Sequence, residues 1–295
     1  MLTVNTSMQG KACMVTGANS GIGKATALGL AQVGANVVMV ARDRARGEVA
    51  QNEVKAKSGN NSVDLLVADL SSQQSIRKLV ENFKQHYKQL YVLINNAGVF
   101  MLTRRETVDG LEITFAVNYL APFLLTNLLL DVLKASAPAR IVNVSSEAHE
   151  NGYIKMDDLQ AKKNYRPFRA YGQSKLALVM FTYELARRLQ GTGVTANCLH
   201  PGFVATNIGQ SGVVPVARPV AKFVLSFLGI SPEEGAKTSI YLATSTDVED
   251  VTGKYFVKSV ISRSAPISYD ESLQRQLWEE SAKLVKLPVD ELLQP

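Results

Sequence analysis

Two cysteines in 295 residues, Cys13 and Cys198, and no CxxC pair exclude both a disulfide scaffold and a zinc module. Each lies in an apolar run that reads as a buried strand, where a reduced thiol packs as a small hydrophobe. The three histidines, His86, His149 and His200, are far apart and show no metal-ligand spacing, so no metal is expected. No uninterrupted apolar run reaches the roughly 18 residues that cross a bilayer. Residues 1–11 are polar and lack the apolar core of a signal peptide. Together these absences set the expectation of a soluble, cytoplasmic protein. No run of about five consecutive basic residues occurs either, so nucleic acid is not an expected partner. The 32 Lys and Arg exceed the 26 Asp and Glu by +6, with the closest basic groups at 42–46 and 162–169. Such a surplus suits an anionic cofactor or a weak contact with a membrane surface. Repeats, low-complexity tracts and linkers are missing as well. With 46% hydrophobic and 20% charged residues the chain can bury a large core, and 1–295 reads as one domain.

What is present is an alternation. Short β-branched runs at 12–16, 36–41, 62–68, 90–95, 140–145 and 194–200 read as strands. Helical stretches follow at 21–33, up to about 58, 72–87, 107–134 and 170–190. Apolar strands joined by helical crossovers predict an α/β protein: a single doubly wound, Rossmann-type parallel sheet with helices on both faces. Ligands of such sheets bind beyond the carboxyl ends of the strands. Residues 206–230 are apolar without a clean period and read as a substrate lid, which suggests a hydrophobic substrate. Ser231, Pro232 and Glu234 then mark a helix start, and 269–287 reads as an amphipathic helix carrying Trp278.

The first strand runs into Thr16-Gly17-Ala18-Asn19-Ser20-Gly21-Ile22-Gly23 and then a helix. Glycines there let the chain turn tightly and let a phosphate approach free N–H groups at a helix N-terminus. A P-loop would need glycine in place of Ala18 and a hydroxyl in place of Ala25, although Lys24 fits. The dinucleotide reading directs attention to the end of the second strand, where an acid binds the ribose 2′-hydroxyl and an arginine accepts a 2′-phosphate. Ala41 stands there, followed by Arg42, whose guanidinium suits a phosphate; Asp43 could equally cap the next helix. NADP(H) is therefore preferred over NAD(H).

Tyr171 and Lys175 are neighbours at i and i+4 on one helical face, a phenol beside an ammonium. Asn95-Asn96-Ala97-Gly98, Asn118, Ser145-Ser146 and His200-Pro201-Gly202-Phe203-Val204-Ala205-Thr206 all fall at carboxyl ends of strands or on the helices leaving them. In this order the motifs TGxxxGxG, NNAG, Asn, Ser, YxxxK and PGxVxT resemble the short-chain dehydrogenase/reductase family, over roughly residues 8–260. The segments 139–146 with His149, 171–176 and 191–195 are most similar to its retinol dehydrogenase-like branch. Ser146 and Tyr171 stand 25 residues apart, an insertion that also resembles this branch. Members of the branch are often anchored by an N-terminal helix, which residues 1–11 do not provide.

The resemblance implies an NADP(H)-dependent oxidoreductase that moves hydride between nicotinamide and an apolar carbonyl or alcohol, such as retinal, retinol, or an aliphatic or aromatic aldehyde or ketone. It implies that Tyr171 is the general acid in reduction and the base in oxidation. Lys175 would lower the Tyr171 pKa and hold the nicotinamide ribose. Ser146, with Ser145 as its rival, would hydrogen-bond the substrate oxygen. Asn118 would kink its helix and anchor a water joining Lys175 to solvent. The implied cofactor contacts are Gly17, Asn19, Ser20, Gly21, Ile22, Gly23 and Arg42, then Asp69 and Leu70 near the adenine. Asn96 follows near its ribose, and Val204 and Thr206 near the carboxamide, with Ala97, Gly98, Pro201 and Gly202 as further cofactor contacts. NADP(H)-preferring members often carry a second basic residue in the glycine loop; Ser20 stands there, so the preference falls on Arg42, with Arg44 or Arg46. Helices 107–134 and 170–190 would supply the faces of a homodimer or homotetramer. A complete Asn118, Ser146, Tyr171 and Lys175 set argues against the competing reading, a dinucleotide-binding scaffold that has lost its chemistry.

Overall fold

The structure, a computed structural model, describes residues 7–202 and 230–288. The strands are β1 (Ala12–Thr16), β2 (Asn36–Ala41), β3 (Val63–Val67), β4 (Val92–Asn95), β5 (Ala139–Val144), β6 (Val194–His200), β7 (Tyr255–Val257) and β8 (Val260–Ser262). They form one sheet in the order β3-β2-β1-β4-β5-β6-β7-β8. The helices are α1 (Gly21–Gln32), α2 (Arg44–Ser58), α3 (Gln73–His86), α4 (Ile113–Ala135), α5 (Pro167–Arg188), α6 (Pro232–Thr244) and α7 (Glu271–Leu284). Strand order reverses between β1 and β4, which opens the crevice where this architecture receives a dinucleotide.

Side-chain alternation along the strands feeds two apolar layers. Met14, Val38, Val40 and Leu93 face one layer with α3, α4, α5 and α7. Cys13, Val15, Val37, Met39, Val92 and Ile94 face the other, with α1, α2 and α6. Both thiols are free and buried, and burial pushes the Cys13 thiol up to about 12.

Three features depart from the sequence expectation. The sheet is not wholly parallel, because β7 extends it and β8 returns antiparallel at the edge. Lys258 and Ser259 make that hairpin turn with φ of 49° and 63°, left-handed values that usually call for Asn-Gly. The expected helix at 107–134 begins only at Ile113, since a turn precedes it and the buried Glu112 carboxylate caps it by accepting the N–H groups of Thr114 and Phe115. Helix α4 is also long and apolar enough to cross a membrane by length and composition, contrary to the expectation that no such stretch exists. However, 83% of its most apolar 18-residue window is buried inside the protein, as in a core helix. The expected lid, except Ile230, lies outside the described residues.

Helix α7 closes the α4–α5 layer. The Trp278 ring meets Phe123 edge-on at 4.9 Å and stacks on Phe181 at 5.6 Å, and the Arg188 guanidinium lies 4.5 Å from its centre. The Tyr119 hydroxyl lies 2.6 Å from Ser281 Oγ across the same seam. Trp278→Ala should reduce the unfolding free energy by about 3–5 kcal/mol, the usual effect of emptying a buried aromatic site. Urea denaturation monitored by circular dichroism reads this; a loss below about 1 kcal/mol would mean that α7 is only loosely docked.

Candidate active site

At the end of β1, Gly17 turns the chain with φ +66°, a value that suits glycine. Helix α1 then starts at Gly21 with no side-chain cap from Ser20 and no acid in its first turn, leaving its amide N–H groups for an anion. At Gly23 a Cβ would stand 2.3 Å from Gly17 O and 2.5 Å from Asn96 Nδ2, so the approach of the loop to β4 requires glycine. Thr16 fastens this crossing. Its Oγ1 accepts the N–H groups of Asn96 at 2.9 Å and Ala97 at 3.0 Å, while Asn96 Nδ2 donates to Thr16 O at 2.8 Å. The glycine loop and NNAG thus meet through Thr16, the first residue of the TGxxxGxG motif.

Beyond β2, Arg42 is exposed, and Arg44 pairs with Glu48 at 3.6 Å. Asp43 is the N-cap of α2, its Oδ1 accepting the Arg46 N–H at 2.9 Å. Asn19, Lys24, Arg46 and Glu53 line a groove between the glycine loop and α2, with Lys24 and Glu53 paired at 2.6 Å. Beyond β3, Asp69 Oδ1 accepts the Ser71 N–H at 2.9 Å and its hydroxyl at 2.8 Å, and Leu70 packs on the core.

Beyond β4 and β5 the expected reacting groups converge. Residues 116–120 of α4 form a π turn, and Asn118 sits in it with no exposed surface. Its Oδ1 accepts the Val99 N–H at 2.7 Å, and its Nδ2 donates to Val99 O at 2.9 Å and Ser174 Oγ at 3.0 Å. Of the serine pair, Ser145 is buried and donates to Lys175 O at 2.9 Å, whereas Ser146 is partly exposed. Lys175 is 3% exposed, and its Nζ donates to Val144 O at 2.9 Å and lies 5.8 Å from the centre of the Tyr171 ring. Gly98 faces both groups, since a Cβ there would stand 3.4 Å from Asn118 Oδ1 and 3.5 Å from Lys175 Nζ. Beneath this edge Asn95 Nδ2 donates to Thr126 Oγ1 at 3.0 Å and to Asn143 Oδ1 at 2.8 Å, and Asn143 Nδ2 donates to Thr182 Oγ1 at 2.9 Å.

The electrostatics differ from the expectation that Lys175 lowers the Tyr171 pKa. Burial raises the Tyr171 phenol above its ordinary value, and hydrogen bonding with the Ser146 side chain opposes that rise. Burial also brings the Lys175 ammonium down to about 8, so near neutral pH it stays mostly charged while its proton becomes easier to give up. The Phe100 ring packs edge-on against Tyr171 at 5.6 Å and tilts against the exposed Phe168 at 5.2 Å. Beyond β6, Gly202 donates its N–H to His200 Nδ1 at 3.1 Å beside Pro201; Val204 and Thr206 lie outside the described residues. Among the described residues no group of three His, Cys, Asp or Glu could hold a metal ion.

The family model described as short chain dehydrogenase matches residues 11–213. Retinol dehydrogenase 14 of Mus musculus is 47% identical over 289 residues, spanning 94% of this chain and 86% of that protein. Polyprenol dehydrogenase of Homo sapiens is 43% identical, spanning 93% of this chain and 84% of that protein. Among solved structures, the Pseudomonas aeruginosa RhlG/NADP active-site complex superposes with a TM-score of 0.67 at 27% identity. That match covers 85% of this chain and 95% of the other.

The folded Lys175 gives up its proton at about 8 while the unfolded chain keeps it to 10.5. Stability contributed by this group therefore rises with pH between those values, and the penalty of burying the charge is fully present below them. NMR titration of lysine labelled at the ε-carbon, in protein without cofactor, should show one resonance with a midpoint of about 8 that Lys175→Met removes. A midpoint near the ordinary 10.5 would contradict the site as described.

Proposed function

The chain belongs to the short-chain dehydrogenase family, in its retinol dehydrogenase-like branch, and from that premise we propose that it uses NADP(H) to interconvert an apolar carbonyl compound and its alcohol. An NAD(P)-dependent oxidoreductase acting on CH–OH donors is the activity the family carries. The observation that supports this reading for the present residues is the convergence of Asn118, Ser146, Tyr171 and Lys175 at the carboxyl ends of β4 and β5.

The described residues fit a dinucleotide. The uncapped start of α1 suits its pyrophosphate, held by N–H groups beside Gly17, Asn19, Ser20, Gly21, Ile22 and Gly23. Arg42, assisted by Arg46, would take the 2′-phosphate, because the nearest carboxylate, Asp43, is engaged in capping α2. Asp69 and Leu70 would border the adenine, Asn96, Ala97 and Gly98 its ribose, and Pro201 and Gly202 the carboxamide. When bound, the nicotinamide supplies or accepts the hydride.

In reduction Tyr171 gives its phenolic proton to the carbonyl oxygen, and its raised pKa keeps that proton in place beforehand. Ser146 Oγ donates to the same oxygen as negative charge develops on it. Lys175, protonated, stabilises the phenolate left behind and returns a proton to it. Asn118 positions α5 against residues 98–100. Both donors of its amide are engaged with Val99 and Ser174, so the side chain retains only the second lone pair of Oδ1 for a water. The aromatic flank made by Phe100 and Phe168 beside Tyr171 favours an apolar substrate. Retinol and polyprenols, named for two relatives, are isoprenoid alcohols of this kind.

Purified protein should oxidise NADPH in the presence of retinal or long aliphatic aldehydes, followed at the nicotinamide absorbance band. No turnover across a panel of aldehydes and ketones with either cofactor would overturn the proposal. Tyr171→Phe keeps the ring on Phe100 and should lower kcat by about 10²–10⁴-fold with NADPH binding retained, and undiminished turnover would remove Tyr171 from the mechanism. Arg42→Ala should raise the KM for NADPH by about tenfold, the scale of one charge-assisted contact, and leave that for NADH within about twofold. Equal changes for both cofactors would place the phosphate elsewhere.

A further inference from the structure

His149 is fully buried in the short 3₁₀ turn Glu147–Asn151 that follows β5 and Ser146. Its Nε2 lies 3.1 Å from the main-chain nitrogen of Ala265, just before the turn that leads into α7. An amide nitrogen can only donate, so Nε2 must present its lone pair and the proton of the neutral ring sits on Nδ1. Nδ1 in turn lies 2.8 Å from Ser146 O, to which it donates, and the His149 main-chain N–H reaches the same oxygen at 3.0 Å. One residue thus supplies two donors to the Ser146 carbonyl and an acceptor to a segment 116 positions further along the chain.

The surroundings keep the ring neutral. Burial pulls His149 below the usual imidazole range. Tyr255 of β7 faces it, with ring centres 4.7 Å apart and its hydroxyl 3.5 Å from Nδ1. His200 of β6 lies 6.0 Å from the Tyr255 ring, and the exposed Glu147 and Glu150 are the charged groups of the same turn. A protonated ring would turn a second N–H against that of Ala265, donor facing donor.

We propose that His149 is a positioning residue for the reaction. By fixing the Ser146 carbonyl through Nδ1, it holds Ser146 Oγ in register with Tyr171, while its Nε2 bond to residue 265 secures the segment before α7 and contributes to stability. The inference rests on the reading that Ser146 and Tyr171 carry the chemistry. A merely structural histidine would affect folding in proportion to every bond removed. A positioning one should affect turnover through the Ser146 bond alone.

Two substitutions separate the bonds. His149→Asn places an amide nitrogen near the position of Nδ1 and gives up the Ala265 contact; His149→Gln places a carbonyl oxygen near that of Nε2 and gives up the Ser146 contact. His149→Asn should keep kcat within about threefold despite a lower Tm, whereas His149→Gln and His149→Phe should lose about tenfold or more in kcat at unchanged KM for NADPH. Turnover that merely follows Tm, or a fully active His149→Gln, would overturn the proposal. Long-range ¹⁵N NMR of histidine-labelled wild-type protein tests it without any variant. The His149 ring should show the neutral Nδ1–H form at pH 8 and keep it as the dominant form at about 6.5, where an ordinary imidazole is half protonated, and an Nε2–H or predominantly protonated ring there would overturn the clamp. Ser146→Ala and Tyr171→Phe, assayed in parallel, keep the two readings apart. If both retain full activity the catalytic reading fails; if both are inactive while His149→Gln is not, only the positioning role fails.

Discussion

An ammonium group sunk beneath the catalytic edge imposes the strictest demand on this architecture. Lys175 reaches a carbonyl of β5 with its Nζ, and its own carbonyl accepts from Ser145 at the end of the same strand. Both ends of the residue are therefore fixed on β5. A buried charge is tolerated only where acceptors and compensating groups are placed closely around it. Helix α5 must lie against β5 at one rotation and one height, and that choice sets where Tyr171 and Ser174 point. Asn118 completes the arrangement by joining Ser174 to the backbone at Val99. The site's geometry follows from satisfying one cation.

The apolar layers could not supply such precision by themselves, because burial of hydrocarbon is nearly indifferent to small slides. Directional bonds inside the layers fix the register. Asn95, Asn143 and Thr182 link β4, β5 and α5 beneath the reacting groups, and Thr16 links β1 to β4 beneath the phosphate loop. Leaving any of these groups unpaired would cost about 1–3 kcal/mol each, so a slipped strand is penalised several times over. The two halves of the site are held by the same device. One linkage serves the anion-binding end and the other the proton-transfer end.

Much of this was legible from residue order. Strand positions, the glycine loop, the N-cap at Ser231 and the Tyr171–Lys175 spacing are local signals, and the fold realises them. The missing pieces were of another kind. Strands β7 and β8 are three residues each, and Lys258-Ser259 gives no turn signature. The resemblance implied a kink at Asn118, but its form, a π turn over 116–120, has no composition of its own. The resemblance preferred Ser146 over Ser145, but the reason, a Ser145 hydroxyl already committed to Lys175 O, is a tertiary contact. The Tyr171 phenol is governed by burial and by Ser146 rather than by the lysine one turn away, and burial is a tertiary quantity. The pairing of His149 with Ala265 joins residues that no periodicity connects.

Helix α7 carries a consequence for the order in which the molecule can be made. The strands β3, β2 and β1 and the helices between them use only the first part of the chain, so the phosphate-binding half can pair while synthesis continues. The layer over α4 and α5 cannot, because Trp278 and Ser281 are the surfaces on which Phe123, Phe181 and Tyr119 close. Until residue 278 has left the ribosome, that aromatic cluster faces water or a chaperone. The phosphate-binding strands can pair early, but α1 is covered only when α6 arrives, and the aromatic layer closes last, with α7.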